Sequence, residues 1–160
     1  MVTIRPAAPS DAAELAKLLN AIIVRGGTTA FETAFTPGGL SEAYLTGPAA
    51  HCCFVAQADG RIAGFQTLGT QLFLPAYIGD IATFARLGST QGGVGTALFA
   101  ATTAHARELG LTAINATIRA DNTGGLTFYT RMGFTDYEIV RGVPLKNGTP
   151  VDRIRKRFVL

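Results

Sequence analysis

The sequence predicts one α/β domain over residues 1–160, with its elements in the order β-α-α-β-β-β-α-β-α-β-β. Three observations support this prediction. Hydrophobic residues make up 48% of the chain and charged residues 16%, which is a globular composition. Segments with apolar residues at helical spacing alternate with segments of strand-like alternation. No repeat, linker or low-complexity tract divides the chain, so a single domain is expected.

A strand and a helix are predicted at the amino terminus. "VTIR" is typical of a short strand. Asp11 precedes Glu14 by three residues, a spacing that fits a capping box at the start of a helix. Four apolar residues then share one helical face: Leu15, Leu18, Leu19 and Ile22. The loop "RGGTTAFETAFTPGG" and a short helix from Pro37 through Leu45 follow.

Three strands are predicted next. "HCCFVAQADGRIAGFQTLGTQLF" indicates a hairpin whose tight turn is Asp59-Gly60, and "YIGDIATFA" indicates another strand.

Cys52 and Cys53 are adjacent, and neighbours on a strand point to opposite faces. We therefore expect two buried free thiols in a reducing compartment. The amino terminus lacks the layout of a signal peptide, which favours the cytoplasm.

The second half of the chain predicts two more helices and three strands. A helix from Gly95 to Gly110 is expected to bury one stripe of residues, formed by Leu98, Ala101, His105 and Leu109. "TAINATIR" alternates as a strand does, a short helix runs from Asn122 to Met132, and Gly133 follows as its C′ residue. "FTDYEIV" and "VDRIRKRFVL" are the last strands. The last strand carries Arg153, Arg155 and Arg157 on one face. It is expected to be a solvated edge strand.

The stretch "TQGGVGTALF", residues 90–99, is a glycine-rich turn that leads into a helix. A Walker loop would have Lys and Ser or Thr where this chain has Val94 and Gly95. A Rossmann fingerprint would have a third glycine at Leu98. Both common phosphate loops are therefore excluded.

Two interpretations of this turn remain. The backbone N–H groups around Gly92, Gly93 and Gly95, with the helix dipole and the hydroxyl of Thr96, could hold a pyrophosphate or a similar anion without a metal. Alternatively, the glycines only let a helix pack close to a strand.

A second stretch, "RADNTGGLTFYTRMGF" at residues 119–134, places Asn122 at a strand end, Tyr129 on a short helix and Gly133-Phe134 before the next strand. Together with the glycine loop, it resembles the GCN5-related N-acetyltransferases, the GNAT superfamily. The resemblance implies a mixed, mostly antiparallel central sheet flanked by helices, and one N-acetyltransferase domain over residues 1–160 that uses acetyl-CoA as co-substrate.

The resemblance also implies a set of cofactor-binding residues. The pyrophosphate loop corresponds to Gln91, Gly92, Gly93, Val94, Gly95 and Thr96. An Arg or Gln that the family places before its glycines corresponds to Thr90, with Gln91 one residue away. Either the loop is one residue short, or Gln91 takes this role through an altered geometry. The strand "DIATFA" corresponds to the one that pairs with the pantetheine arm, through Thr83, Phe84 and Ala85, and Asn122 corresponds to a frequent cofactor contact.

Three residues are candidates for the chemistry. By resemblance, Tyr129 protonates the departing thiolate, and a phenol with a pKa near 10 remains protonated at neutral pH. An aromatic core residue is the alternative interpretation of Tyr129. Asp80 and Glu32 are candidate bases for the attacking amine, although each could equally be a surface carboxylate.

The expected acceptor is a small-molecule amine. "TTAFET" and "PAY" resemble part of the phosphinothricin-type acetyltransferases, which acylate amino-acid-like compounds, but Ile78 and Ala82 replace the Arg and Glu typical of that group. We expect no metal, nucleic acid or membrane as a partner. Many relatives form homodimers, so a homodimer is a candidate assembly for this protein. A non-catalytic acyl-CoA-binding module is the competing class.

Overall fold

The computed structural model describes residues 1–89 and 91–160, and its elements follow the predicted order. The strands are β1 Thr3–Pro6, β2 Ala50–Ala58, β3 Arg61–Gly69, β4 Ile78–Ala85, β5 Ala113–Arg119, β6 Thr135–Pro144 and β7 Pro150–Val159. The helices are α1 Ala12–Arg25, α2 Pro37–Tyr44, α3 Val94–Glu108 and α4 Thr123–Met132. A short 3-10 turn at Pro9–Asp11 precedes α1.

The seven strands form one sheet in the order β1-β2-β3-β4-β5-β7-β6. Neighbouring strands are antiparallel except for β4 and β5, which are parallel. Only three residue pairs join β4 to β5 within the described chain, and the last of them is Asp80 with Asn115. Beyond that pair the two strands separate, so the sheet has an opening at its centre.

The helices cover the two faces of the sheet separately. α1 and α2 pack on one face, where the predicted stripe of α1 is buried together with Val55, Phe65 and Phe84. α3 and α4 pack on the other face, against Ile81, Ile114 and Ile118. Alternation along β4 therefore places Asp80 on the α1/α2 face and Thr83 on the α3/α4 face. None of the described helices is long and apolar enough to cross a membrane.

The predicted stripe of α3 is partly wrong. Leu98 is buried, but Leu109 is 46% exposed, and the helix instead buries Phe99, Thr102 and Ala106. The ring of Phe99 lies 5.5 Å from that of Phe134 and 5.1 Å from that of Phe158, measured between centroids. This aromatic cluster, rather than the small side chain of Ala101, determines which face turns inward.

The capping box predicted at Asp11 and Glu14 is also absent. The Asp11 carboxylate makes no capping hydrogen bond to α1 and instead accepts two from Arg5, at 2.8 and 2.9 Å. Glu14 accepts hydrogen bonds from the Ile62 amide and from Arg86, both at 3.1 Å. Arg5 of β1, the Ile62 amide of β3 and Arg86, which follows β4, thus take the place of the helix amides.

The prediction that β7 is a solvated edge strand is wrong. β7 lies between β5 and β6, and β6 forms the edge, because the β6–β7 hairpin inserts its second strand next to β5. The predicted turns are confirmed. Asp59 and Gly60 both have positive φ, of 52° and 78°, and Gly133 ends α4 with a φ of 107°.

Candidate active site

A cleft of about 990 Å³ opens where β4 and β5 separate. Its walls include β4, β5, α4, β7, and the loops at residues 28–31 and 69–74. Asp80, Thr83, Phe84, Asn122 and Tyr129 all line this cleft. The fold therefore brings together five residues that the sequence had suggested from two separate segments.

The glycine loop lies at the amino terminus of α3. Gly93 is the N-cap residue in a left-handed conformation, with a φ of 77°, and no capping side chain is found there among the described residues. The first amides of a helix have no partner within the helix, so the N–H groups at Val94, Gly95 and Thr96 point outward. A Cβ atom added at Gly92 or Gly93 would meet nothing within 4 Å. The turn is therefore an open surface with donors that an anion could use.

At position 95, helix packing rather than anion binding explains why the residue is a glycine. A Cβ atom at this position would lie 2.6 Å from Cε1 of Phe128 on α4. The glycine lets α3 and α4 approach closely, so close packing explains Gly95, but the neighbour is a helix and not the strand that the packing interpretation proposed. Val94 is buried beneath the loop, whereas Gln91 and Thr96 are exposed. Thr90 lies outside the described residues.

The β4 edge that faces the opening consists of Thr83, Phe84 and Ala85. On its other side this segment pairs with β3, where Thr83 is opposite Gln66 and Ala85 is opposite Gly64. Its pairing with β5 has already ended at Asp80. A row of backbone groups thus borders the cleft, and an extended ligand could pair with it as a strand would.

Tyr129 is held by a short chain of hydrogen bonds. Its hydroxyl lies 2.8 Å from Oγ1 of Thr83, which also accepts a hydrogen bond of 2.9 Å from the Gln66 amide. The side chain is 6% exposed, and this burial raises the pKa of the phenol above its ordinary value. Tyr129 is consequently both a core residue, packed at 5.1 Å from Phe134 between ring centroids, and a protonated hydroxyl at the cleft wall.

Asp80 lies on the other face of the opening. Its Oδ1 accepts a hydrogen bond of 2.8 Å from Nδ2 of Asn115, and Asn115 Oδ1 accepts one from the Tyr137 hydroxyl. Burial raises the pKa of this carboxyl, and the hydrogen bond from Asn115 only partly opposes that effect. A carboxylate with a raised pKa is better suited to accept a proton than an ordinary surface aspartate.

Asn122 and Glu32 have structural partners in this state. Asn122 caps α4 by accepting a hydrogen bond of 3.0 Å from the Gly125 amide, and its Nδ2 donates to the Thr28 carbonyl at 2.9 Å. Glu32 accepts a hydrogen bond of 2.9 Å from the Lys146 amide in the β6–β7 hairpin, and it is not among the residues that line the cleft. Asp80 is therefore the better placed of the two candidate bases.

Sequence reasoning missed several side chains that shape the cleft. Asn115 is fully buried although it belongs to the polar side of β5, because both faces of that central strand are covered. Arg153 and Arg155 of β7 also line the cleft. Their regular spacing was visible in the sequence, but the cleft beneath them depends on the strand order.

Three solved structures have the same fold over nearly the whole chain. An N-acetyltransferase from Staphylococcus aureus is 17% identical, with a TM-score of 0.86 over 99% of this chain and 98% of that one. A GCN5-related N-acetyltransferase from Kribbella flavida is 21% identical, with a TM-score of 0.84 over 99% of this chain and 98% of that one. A GNAT superfamily phosphinothricin acetyltransferase from Sinorhizobium meliloti, in complex with acetyl-CoA, is 18% identical, with a TM-score of 0.86 over 99% of this chain and 88% of that one. The predicted fold class is thereby confirmed.

Sequence comparison gives two further matches. A mycothiol acetyltransferase from Streptomyces griseus is 34% identical over 87 residues, which cover 54% of this chain and 28% of that protein. The chain thus matches less than a third of the length of this relative. The acetyltransferase (GNAT) family profile matches residues 25–134, which include the glycine loop, Asn122 and Tyr129. The chain therefore belongs to the GNAT family of acetyltransferases.

Proposed function

We propose that the protein transfers an acetyl group from acetyl-CoA to the amine of a small molecule, by direct attack in a ternary complex. One observation carries this proposal: the opening between β4 and β5 has the protonated hydroxyl of Tyr129 at one wall and the carboxyl of Asp80 at the other. An acid and a base on opposite sides of a gap can assist amine acylation by a thioester, in which the nitrogen loses a proton and the sulfur gains one.

The residues present fit acetyl-CoA. The open turn at Gly92 and Gly93, with the free amides at the start of α3, would hold the pyrophosphate. The free edge of β4 from Thr83 to Ala85 would pair with the pantetheine arm, and Asn122 borders the same cleft. When bound, acetyl-CoA supplies an acyl thioester whose carbonyl carbon an amine can attack.

The protein's own groups then manage two protons. Asp80 accepts a proton from the attacking amine as the C–N bond forms, while Asn115 holds its carboxylate in place. Tyr129 gives its proton to the sulfur as the C–S bond breaks, and Thr83 fixes the direction of the phenol. Glu32 would act only if the loop that carries it moved toward the cleft, because its carboxylate now binds Lys146.

Location and partners complete the proposal. Cys53 is buried as expected, whereas Cys52 is only partly buried, and burial raises the pKa of Cys52 to about 11 and that of Cys53 to about 12, so both thiols remain protonated at neutral pH. The cytoplasm is proposed from the two free cysteines alone. Arg153 and Arg155 of β7 line a cleft, and Arg157 stacks on the Tyr137 ring, so these arginines do not form the broad open basic surface that nucleic acid would favour. We further propose a homodimer, by analogy with the family.

Titration calorimetry with acetyl-CoA, free CoA and ATP tests the cofactor, and release of free thiol in the presence of a panel of small amines tests the reaction. We expect micromolar affinity for both CoA species, much weaker binding of ATP, and amine-dependent thiol release. Binding without transfer to any amine would instead favour a non-catalytic acyl-CoA-binding module. No binding of acetyl-CoA would contradict the whole proposal.

A further inference from the structure

Arginines occupy one end of the cleft, on the same face of the sheet as Asp80. Arg119 of β5 lies opposite Arg153 of β7, and Arg155 lies opposite Thr117, so these side chains share one face. Arg119, Arg153 and Arg155 all line the cleft. Three positive charges on neighbouring strands repel one another unless each has a partner.

Two of the three arginines have such partners. Arg119 forms a two-pronged pair with Asp121, at 2.9 and 2.7 Å, and donates a third hydrogen bond to the Thr29 carbonyl. Arg155 pairs with Glu138 at 2.7 Å, and its guanidinium stacks on the Phe73 ring, 3.9 Å from its centroid. Their charges are therefore compensated within the protein.

Arg153 is different. Within residues 1–89 and 91–160, its guanidinium has no carboxylate and no aromatic partner. Its Nε is buried without a hydrogen bond, as are those of Arg155 and Arg157, so the missing ion pair is what distinguishes Arg153. Burial, and next the charge of Arg119, lower the pKa of the Arg153 guanidinium. The carboxylates nearby, Glu32 and Asp121, are already bound to Lys146 and Arg119. Arg153 is thus a partly buried cation that lines the cleft without a protein anion beside it, and its guanidinium can bind an anion that the protein itself does not supply.

The position of Arg153 indicates which substrate would bring that anion. The cofactor's phosphates belong to the start of α3, and α3 packs on the opposite face of the sheet from Asp80. Arg153 shares the cleft and the sheet face with the candidate base that receives the amine. The anion should therefore be part of the acceptor.

We infer that Arg153 forms an anion-binding subsite for the acceptor, and that the acceptor is a small amine which also carries a carboxylate, phosphonate or similar oxyanion. This inference rests on the proposed acetyl transfer. The planar guanidinium binds two oxygens of such a group side by side, while the amine lies toward Asp80. Arg119, already paired, adds positive potential but no free donor pair.

Matched acceptors test the inference. Thiol release with acetyl-CoA is measured for amino acids and their neutral α-amides, and for aminoalkylphosphonates and their neutral diethyl esters. We expect the anionic member of each active pair to have the higher kcat/KM. In Arg153→Gln that preference should fall by about 10- to 100-fold, as expected for loss of a hydrogen-bonded charge, because the anionic member loses more activity than the neutral one. Arg141→Gln is the matched control, because Arg141 is 76% exposed and pairs with Asp152 outside the cleft.

Neutral acceptors that react as well as anionic ones, or an unchanged preference in Arg153→Gln, would overturn the inference and leave acetyl transfer intact. If no amine in the panel reacts, the proposed function fails there, and a binding measurement decides the inference separately. For this, the Nε–Hε resonance of Arg153 is followed by heteronuclear NMR during titration with acetate and with methylphosphonate. A saturable shift at Arg153, with none at Arg141, supports the subsite. The absence of such a shift with both anions would refute it.

Discussion

Replacement of Tyr129 by Phe is the sharpest test of the chemistry proposed for the cleft. The change removes one hydroxyl, whose hydrogen bond to Thr83 Oγ1 is 2.8 Å long, and leaves the packing of the ring in place. If this hydroxyl protonates the departing sulfur, kcat should fall by about 100-fold or more, which corresponds to about 2.7 kcal/mol of lost transition-state stabilisation. The affinity for acetyl-CoA should change little.

The protein should remain folded after this substitution. Loss of one buried hydrogen bond costs about 1 kcal/mol, or about 2–4 °C in Tm for a domain of this size. Thr83 retains its hydrogen bond from Gln66, so its oxygen is not left without a partner. A large loss of turnover with a small loss of Tm would thus identify a chemical role and not a structural one.

Thiol release under saturating acetyl-CoA, calorimetric affinity for acetyl-CoA and thermal unfolding should be measured on the same preparations. Tyr77→Phe is the control, because Tyr77 is 57% exposed and does not line the cleft. Because burial raises the pKa of Tyr129 above 10.0, the phenol remains protonated and contributes no loss of activity between pH 6 and about 9. Unchanged kcat in Tyr129→Phe would refute the acid role and leave the residue as an aromatic member of the core.

Three further substitutions test other parts of the molecule. Because burial raises the pKa of Asp80, kcat/KM should decline as the pH falls through that value, and Asp80→Asn should lose this acid limb and about 100-fold or more in turnover. The same raised pKa means that Asp80 stabilises the fold only in its protonated form at acidic pH, and this stabilisation is lost as the pH rises. Asp80→Asn should therefore have an equal or higher Tm at pH 7. A lower Tm would contradict this prediction. Thr83→Val should lower kcat about fivefold by releasing the Tyr129 hydroxyl, with recovery in Thr83→Ser, and equal activity of the two variants would remove Thr83 from the mechanism. Phe65→Ala should lower the free energy of unfolding by about 3–5 kcal/mol in urea titrations, because Phe65 is 0% exposed and lies 4.9 Å from the Phe84 ring, and a loss below about 1 kcal/mol would contradict the assigned core.

Local patterns in the sequence predicted what local physics controls. The stripe of α1, the Asp59-Gly60 turn and the end of α4 at Gly133 each depend on residues within one or two turns of chain, and the structure confirms all three. The paired motifs around Gly93 and Tyr129 predicted the family for a similar reason: each motif is a short segment whose backbone shape requires particular residues.

Side-chain partnerships were predicted less well. Asp11 and Glu14 had the spacing of a capping box, yet their carboxylates form ion pairs with Arg5 and Arg86, and Asp11 makes no capping hydrogen bond to α1. The face of α3 that carries Phe99 is the buried one, because Phe134 and Phe158, which are distant in sequence, pack against that ring. A periodic pattern records which residues are apolar, but it does not record which aromatic ring will meet them.

The sequence by itself therefore determined the order of elements, the glycine turn before α3, and the residue types that an acetyl transfer needs. Only the tertiary structure decided that β7 lies inside the sheet, that β4 and β5 separate after Asp80, and that Arg153 lines the resulting cleft without an ion-pair partner among the described residues. The physical reason is that strand order and strand separation arise from long-range pairing, in which residues far apart in sequence compete for the same backbone groups. No short window of sequence contains both competitors.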